Sequence, residues 1–277
     1  TLSVQALGEA LPADARPAIR AWLLAQQTRT EHPYTGAAPG GWAWTPLSGG
    51  VPDADDTPGA LLALAALKDG DDPEVLAAAR AGVDWLLGLQ NADGGMPTFC
   101  RGWGRLPFDR SCPDLTAHAL RAWHAWPSER TPAAVERGLR YLDDAQRPDG
   151  AWIPLWFGSQ ANADETNPVY GTSRVLLCAP LFPGRPAWRR GLRWLLDAQS
   201  PEGGWGTSIE ETALAVEALA SFPEARTAVD RGLAWLSDRT AGGARFPAAP
   251  IGLYFARLWY SERLYPIIFT VAALRNA

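Results

Sequence analysis

One pattern recurs along this chain in register and constrains its fold more than any other feature. Arg137-Gly138-x-x-Tyr141-Leu142-x-x-x-Gln146-x-x-x-Gly150-x-Trp152 is followed by Arg190-Gly191-x-x-Trp194-Leu195-x-x-x-Gln199-x-x-x-Gly203-x-Trp205. Looser copies are Ala81-Gly82-x-x-Trp85-Leu86-x-x-x-Gln90 with Gly94-Gly95-Met96, and Ala21-Trp22-Leu23-Leu24 with Gln26 and Gly40-Gly41-Trp42. A decayed copy, Arg231-Gly232-x-x-Trp235-Leu236, ends in Gly242-Gly243. A period of roughly 40–60 residues marks stacked supersecondary units. Each copy reads as the end of an amphipathic helix running into a glycine turn, with the aromatic and its following leucine on the buried side. Half of the 14 tryptophans fall in these copies and are structural rather than ligand contacts.

Between the copies lie apolar, small-residue helices that each begin at a threonine: Asp56-Thr57, Leu115-Thr116, Gly171-Thr172 and Glu211-Thr212. Helices apolar over most of their circumference belong inside, and the charged Arg-Gly-x-x-aromatic helices outside. The chain is therefore expected to be all-α, one (α/α)6 barrel domain over residues 1–277. Inner helices are expected near 1–9, 57–68, 114–126, 170–181, 210–222 and 265–276, and outer ones near 14–27, 74–90, 132–146, 187–199 and 225–239. No segment has a strand period. The count is one outer helix short of six by six, so further sequence is expected before Thr1.

The chemistry concentrates at Asp53-Ala54-Asp55-Asp56-Thr57, ahead of Pro58 and the run Ala60-Leu61-Leu62-Ala63-Leu64. This is a helix start, where the dipole favours negative charge. Three carboxylates so close cannot all ionise cheaply, so at least one should hold its proton near neutral pH. On spacing alone, a capping loop of solvated acids or a metal loop accounts for the cluster as well or better. In an α/α barrel, however, every inner-helix N-terminus opens at one end. Asp114 and His118, Tyr170, and Glu210 and Glu211 then share a mouth with the acids. The long loops preceding those helices carry Trp44, Phe99, Trp103, Phe108, Trp156, Phe157, Tyr254, Phe255 and Trp259. A proton donor above an aromatic-lined apolar cavity suits protonation of an alkene or epoxide, and aromatic faces stabilise the resulting cation without quenching it. His118 beside the acid, held by Asp114 four residues earlier, would stabilise the carboxylate left behind. Taken alone, His118 reads more simply as a core histidine.

Composition narrows the partners. A net charge of -5 argues against nucleic acid. Three cysteines without a C-x-x-C pair argue against a disulfide framework or zinc knuckle and fit a cytoplasmic setting. No apolar run reaches the roughly 18 residues of a membrane span. Leu253, Phe255, Leu258, Trp259 and Ile267 are expected to border an apolar entrance in peripheral contact with a bilayer.

The tandem repeats resemble the QW motifs of squalene–hopene and oxidosqualene cyclases, and Asp53-Ala54-Asp55-Asp56-Thr57 resembles the D-x-D-D-T motif of class II terpene cyclases. Asp114-Leu115-Thr116-Ala117-His118 is similar to the segment that supplies the acid's histidine partner in bacterial squalene–hopene cyclases. The resemblance covers the whole chain and corresponds to the β domain of those enzymes. It implies Asp55 as proton donor, Asp53 and Asp56 as polarising neighbours, His118 as the hydrogen-bonded partner and Asp114 as its support. It also implies Trp44, Trp156, Tyr170, Tyr254 and Phe255 as cavity residues. The implied activity is proton-initiated cyclisation of a linear isoprenoid, a squalene-like triterpene in the first instance, with no cofactor and no metal. Three departures stand out: Met96 replaces a repeat tryptophan, residues 159–167 form an insertion before Tyr170, and Arg101, Arg105 and Arg110 make a basic loop. Those arginines suit a diphosphate, so the alternative is a lone β domain acting on a prenyl diphosphate such as farnesyl diphosphate (drimane type), with Mg2+ only in that case. A γ domain upstream is the other expectation, since in squalene cyclases the cavity lies between β and γ. Three further classes share features of this chain: a zinc-dependent prenyltransferase subunit, an α/α-barrel glycoside hydrolase using Asp55 with Glu210 or Glu211, and a non-catalytic binding relic. The first lacks the Asp-x-Cys zinc pattern, and the second leaves the repeats unexplained.

Overall fold

Alternation in the sequence becomes alternation of two kinds of helix in the computed structural model, which describes residues 1–99, 101–103, 107–253 and 257–277. The apolar set comprises α1 (Leu2–Leu7), α3 (Asp56–Ala66), α5 (Pro113–Ala125), α7 (Pro168–Leu176), α9 (Ile209–Leu219) and α11 (Tyr265–Asn276). The amphipathic set comprises α2 (Arg16–Gln26), α4 (Pro73–Leu89), α6 (Thr131–Ala145), α8 (Pro186–Asp197) and α10 (Arg226–Arg239). Proline opens α4, α5, α7 and α8, where its missing N–H costs nothing. A capping box, Ser208 with Glu211, opens α9. Helix α7 stops at Leu176, short of the expected 181, because Pro180 lacks an N–H and disfavours helical backbone just before it.

The chain divides into two compact units, Thr1–Asp144 and Ala145–Ala277. In the first, α3 packs against α1, α2, α4 and α5; in the second, α9 packs against α7, α10 and α11. Helix α8 shows the outer type well: it buries only Ala187, Trp188, Gly191, Leu192 and Leu195, while α9 buries ten of its eleven residues.

The repeat has a physical reason in each unit. Gln90 Nε2 donates to Gly94 O at 2.8 Å and to Ala134 O at 2.9 Å, tying the end of α4 to its own turn and to the next outer helix, α6. Gln146 makes the same pair with Gly150 and Ala187, and Gln199 with Gly203 and Ala228. In the first copy the bridging residue is Gln27, which donates to Gly40 O and Ala78 O and is 4% exposed. The expected Gln26 is therefore corrected by one position, since a one-residue step turns a side chain about 100° around the helix. Trp22 of that copy is 55% exposed, so only its following leucines are buried as expected.

The threonines close the same units: Thr57, Thr116, Thr172 and Thr212 accept the backbone N–H of Trp42, Met96, Trp152 and Trp205 at 2.9–3.0 Å. Gly191 leaves room for the Trp152 ring, which a Cβ there would meet at 2.6 Å. Gly150 sits at φ +101°, where a Cβ would be 2.6 Å from Arg190 O, so only glycine turns the chain there. The sequence shows no strand period, yet a hairpin forms: β1 (Ile251–Leu253) pairs antiparallel with β2 (Leu258–Tyr260). Three-residue strands are too short to carry an alternation signal.

Candidate active site

Asp55 occupies the N-cap position of α3, but its side chain makes no cap bond. Asp53 takes over that task, its Oδ1 accepting the backbone N–H of Asp55 at 2.8 Å and of Asp56 at 2.6 Å. Asp55 turns instead to α5, where Oδ1 lies 3.1 Å from His118 Nδ1. The imidazole is 3% exposed and the Asp55 side chain 43% exposed, so the pair has one buried and one accessible end. Asp114, a turn earlier on α5 and 3% exposed, accepts a hydrogen bond from Cys112 Sγ at 2.6 Å.

The three carboxyls divide their charge as crowding requires. Burial pushes the Asp53 carboxyl well above the usual carboxylate range, aided by Asp56, with which it shares a hydrogen bond. Burial, with the neighbouring Asp55 charge, raises Asp56 to about 6. Both shifts run in the direction that crowding of the three acids predicts. Among the described residues, no three His, Cys, Asp or Glu side chains group as metal ligands.

An aromatic wall adjoins the acids in this unit. Asp53 pairs across an antiparallel bridge with Phe99, and Ala54 N donates to Thr98 O at 2.9 Å. The Phe99 ring lies 5.9 Å from Trp44, 5.5 Å from Trp103 and 5.2 Å from Phe108. Trp44 is 55% exposed, an aromatic face presented outward. In the basic loop, Arg101 Nη2 donates to Leu89 O at 2.8 Å and to Gln90 O at 2.7 Å, closing the end of α4. Arg110 is exposed, and Arg105 lies outside the described residues.

The remaining expected residues belong to the second unit. Trp156 and Tyr170 are buried, Tyr170 in the first turn of α7. Phe157 bridges to Leu253 and its ring lies 4.9 Å from Tyr170. Trp259 is half-buried in β2, whereas Tyr254 and Phe255 lie outside the described residues.

Two roles are not legible in the sequence. Asp53 is the cap that frees its neighbour, and helix-start signals do not say which of three acids caps. Cys112 bonds the helix-start acid Asp114, although Cys112-Pro113-Asp114 does place a thiol beside it. Glu210, expected at the shared mouth and in the hydrolase alternative, lies in the second unit. It is 6% exposed in the first turn of α9, with its carboxyl raised to about 6 by burial.

Comparison with known proteins bears on this arrangement. A family model described as the squalene–hopene cyclase C-terminal domain matches residues 1–276. A probable squalene–hopene cyclase of Sinorhizobium fredii is 29% identical over 81% of this chain and 37% of its own length. A drimenyl diphosphate synthase of Streptantibioticus cattleyicolor is 33% identical over 74% of this chain and 38% of its own length. The chain thus spans less than two-fifths of either relative. Among solved structures, the type II terpene cyclase MstE of Scytonema, with geranylgeranyl dihydroxybenzoate bound, aligns at a TM-score of 0.72 and 16% identity over 99% of this chain and 85% of that one. That likeness bears out the expected all-α fold of inner and outer helices. With the repeats, the D-x-D-D cluster and a family model matched from end to end, the chain belongs to the squalene–hopene cyclase family, in the part of it that corresponds to the C-terminal domain.

Proposed function

We infer that the chain acts as a class II terpene cyclase, over residues 1–277 as one domain, with Asp55 as the Brønsted acid. The observation that carries the reading is the Asp55–His118 pair at 3.1 Å, set beside two carboxyls whose pKa burial raises. Asp55 transfers its proton to one carbon of a terminal alkene: the O–H bond breaks, a C–H bond forms, and the neighbouring carbon becomes cationic. His118, when protonated, stabilises the carboxylate left on Asp55. Asp53 holds the acid loop in place, Asp56 polarises it, and Asp114 supports α5 at the histidine. Internal alkenes then attack in turn and close rings. The faces of Trp44, Phe99, Trp103, Trp156, Tyr170 and Trp259 stabilise successive cations, each by about 0.5–2 kcal/mol. No redox cofactor enters this chemistry.

The substrate in this reading is a linear squalene-like isoprenoid. A second reading is cyclisation of a prenyl diphosphate held by Arg101, Arg105 and Arg110 and assisted by Mg2+; a drimenyl diphosphate synthase among the relatives, 33% identical over 74% of this chain, supports it. One experiment tests both. The protein is incubated with squalene, farnesyl diphosphate and geranylgeranyl diphosphate, and extracts are analysed by gas chromatography–mass spectrometry. A cyclic product from squalene supports the first reading and one from a diphosphate the second. No cyclic product from any of them, or product undiminished in Asp55→Asn, removes Asp55 from the donor role.

A further inference from the structure

The position four residues before the repeat threonine is Asp53, Cys112, Pro168 and Ser208 in the four copies. The carbonyls of Asp53, Cys112 and Ser208 accept the N–H of Thr57, Thr116 and Thr212 at 3.2, 3.0 and 3.3 Å, so the three sit alike at their helix starts. At Asp53 and Ser208 the side chain is an acceptor and caps its helix. Asp53 Oδ1 accepts from the N–H of Asp55 and Asp56, and Ser208 Oγ from that of Glu211. Cys112 breaks this pattern. Its thiol makes no cap bond and donates instead to Asp114 Oδ1 at 2.6 Å. A donor thus stands where those copies place an acceptor, and it is aimed at the acid of α5.

The backbone holds this thiol in place. Cys112 is fully buried; its N–H donates to Met96 O at 2.9 Å and its carbonyl accepts from Thr116 Oγ1 at 2.7 Å. Asp114 and His118 are both buried and lie four residues apart on α5, so their side chains share a face. The imidazole in turn meets Asp55 across the 3.1 Å contact. Other titratable groups face this end of α5 among the described residues. They are Asp53, Asp55 and Asp56 at the start of α3, Asp93 after α4, and Tyr141 of α6; on α5 itself Arg121 follows the histidine by three residues. Burial, and then the charges of Cys112, Asp93 and Asp114, push the Tyr141 phenol up, which sets it beside the same thiol and carboxyl. All of these residues belong to the first unit.

We propose that Cys112 is a positioning residue of the acid site: its thiol holds Asp114 as an aimed carboxylate, and Asp114 keeps His118 protonated beside Asp55. For its effect on rate the proposal rests on the class II reading above, because a proton donor is what gains from a charged imidazole. The physics runs in three steps. A hydrogen bond donated to a carboxylate favours its charged form. A carboxylate beside an imidazole favours the imidazolium. The imidazolium stabilises the carboxylate left on Asp55 when its proton departs. No proton passes through the thiol, which acts by fixing where a charge sits.

The test reads His118 itself and needs no substrate. The chain has three histidines, so carbon-13 labelling of their rings gives three NMR titration curves, and loss of one in His118→Ala identifies the curve of residue 118. Relative to wild type, Cys112→Ala is expected to lower the His118 midpoint by about half a pH unit or more, and Cys112→Ser to restore it. In an Asp114→Asn background, Cys112→Ala should add no further shift. Asp56, raised to about 6, titrates in the same range in every variant, so the difference between variants carries the result. With substrate, half a unit corresponds to a fall in kcat of about threefold at unchanged KM, recovered in Cys112→Ser. A folded Cys112→Ala protein with an unshifted midpoint, or a Cys112→Ser protein that behaves like it, overturns the assignment while leaving Asp55 as the donor. If Cys112→Ala does not fold, Asp114→Asn decides alone, and an unchanged His118 midpoint in it overturns the proposal. Turnover of none of squalene, farnesyl diphosphate and geranylgeranyl diphosphate by the wild type overturns the class II reading and the effect on rate with it. The midpoints then still decide whether thiol, carboxylate and imidazole are linked.

Discussion

Removing the imidazole of His118 tests the acid site most directly. His118→Ala deletes the group 3.1 Å from Asp55 Oδ1 and leaves Asp53's two backbone bonds untouched. A hydrogen bond to a charged group contributes about 1.5–3 kcal/mol. Because the Asp55 side chain is 43% exposed, water replaces part of that stabilisation, which places the loss near the lower end, about 1.5–2 kcal/mol. At about 1.4 kcal/mol per decade this is roughly a 10- to 30-fold fall in rate if proton transfer is complete in the transition state. With transfer half complete, it is about threefold to sixfold. The assay is kcat from product formation at saturating substrate, run well below the melting temperature of the variant, with circular dichroism as the check on fold. Asp55→Asn alone should show no turnover, and adding His118→Ala to it should cost nothing more, since the pair acts as a unit. A folded His118→Ala protein with kcat within twofold of wild type would refute the argument that the imidazole stabilises the departing proton's carboxylate.

Three other measurements bear on site and fold. The folded chain raises Asp56 from 3.8 to about 6, so between those values it keeps a proton that the unfolded chain has lost; stability falls as pH rises through that window. Asp56→Asn should therefore melt higher than wild type at pH 7.5, by about 1–3 kcal/mol, with the gap closing toward pH 4; a gap that is constant with pH refutes the assignment. Gly191→Ala places a Cβ 2.6 Å from the Trp152 ring and should destabilise by about 1–3 kcal/mol in denaturant melts, and a neutral result would show that the repeat glycine is not there to seat the indole. Leu258 and Leu264 are 57% and 55% exposed beside the half-buried Trp259, so the protein is expected to float with phospholipid vesicles without detergent, and Leu258→Ser/Leu264→Ser to float less. No co-flotation of the wild type would end the bilayer-contact reading. Independently of that, no helix among the described residues is long and apolar enough to cross a membrane.

Much of this molecule is legible without coordinates because its helices obey short-range rules. Hydrophobic period, proline at helix starts and glycine at their ends place ten of the eleven α-helices among the described residues to within about three residues, and the order of the repeats separates inner from outer. The Arg-Gly-x-x-aromatic-Leu-x-x-x-Gln pattern is readable for the same reason: each glutamine serves a turn four residues ahead, so its register is local. Crowding of Asp53, Asp55 and Asp56 is likewise a property of four adjacent residues, and it already points to raised carboxyls.

What folding alone decided are the choices between chemically similar neighbours. Asp55 meets His118 across 63 residues of chain, and Asp53 rather than Asp55 caps α3. Gln27 rather than Gln26 reaches Ala78, and Glu211 is absorbed by the cap while Glu210 is left facing a pocket. In each case two adjacent residues offer the same donor or acceptor, and composition and period rank them equally. Only the packing of one helix against another, fixed by side-chain volume over long sequence separations, turns one of them inward and the other away.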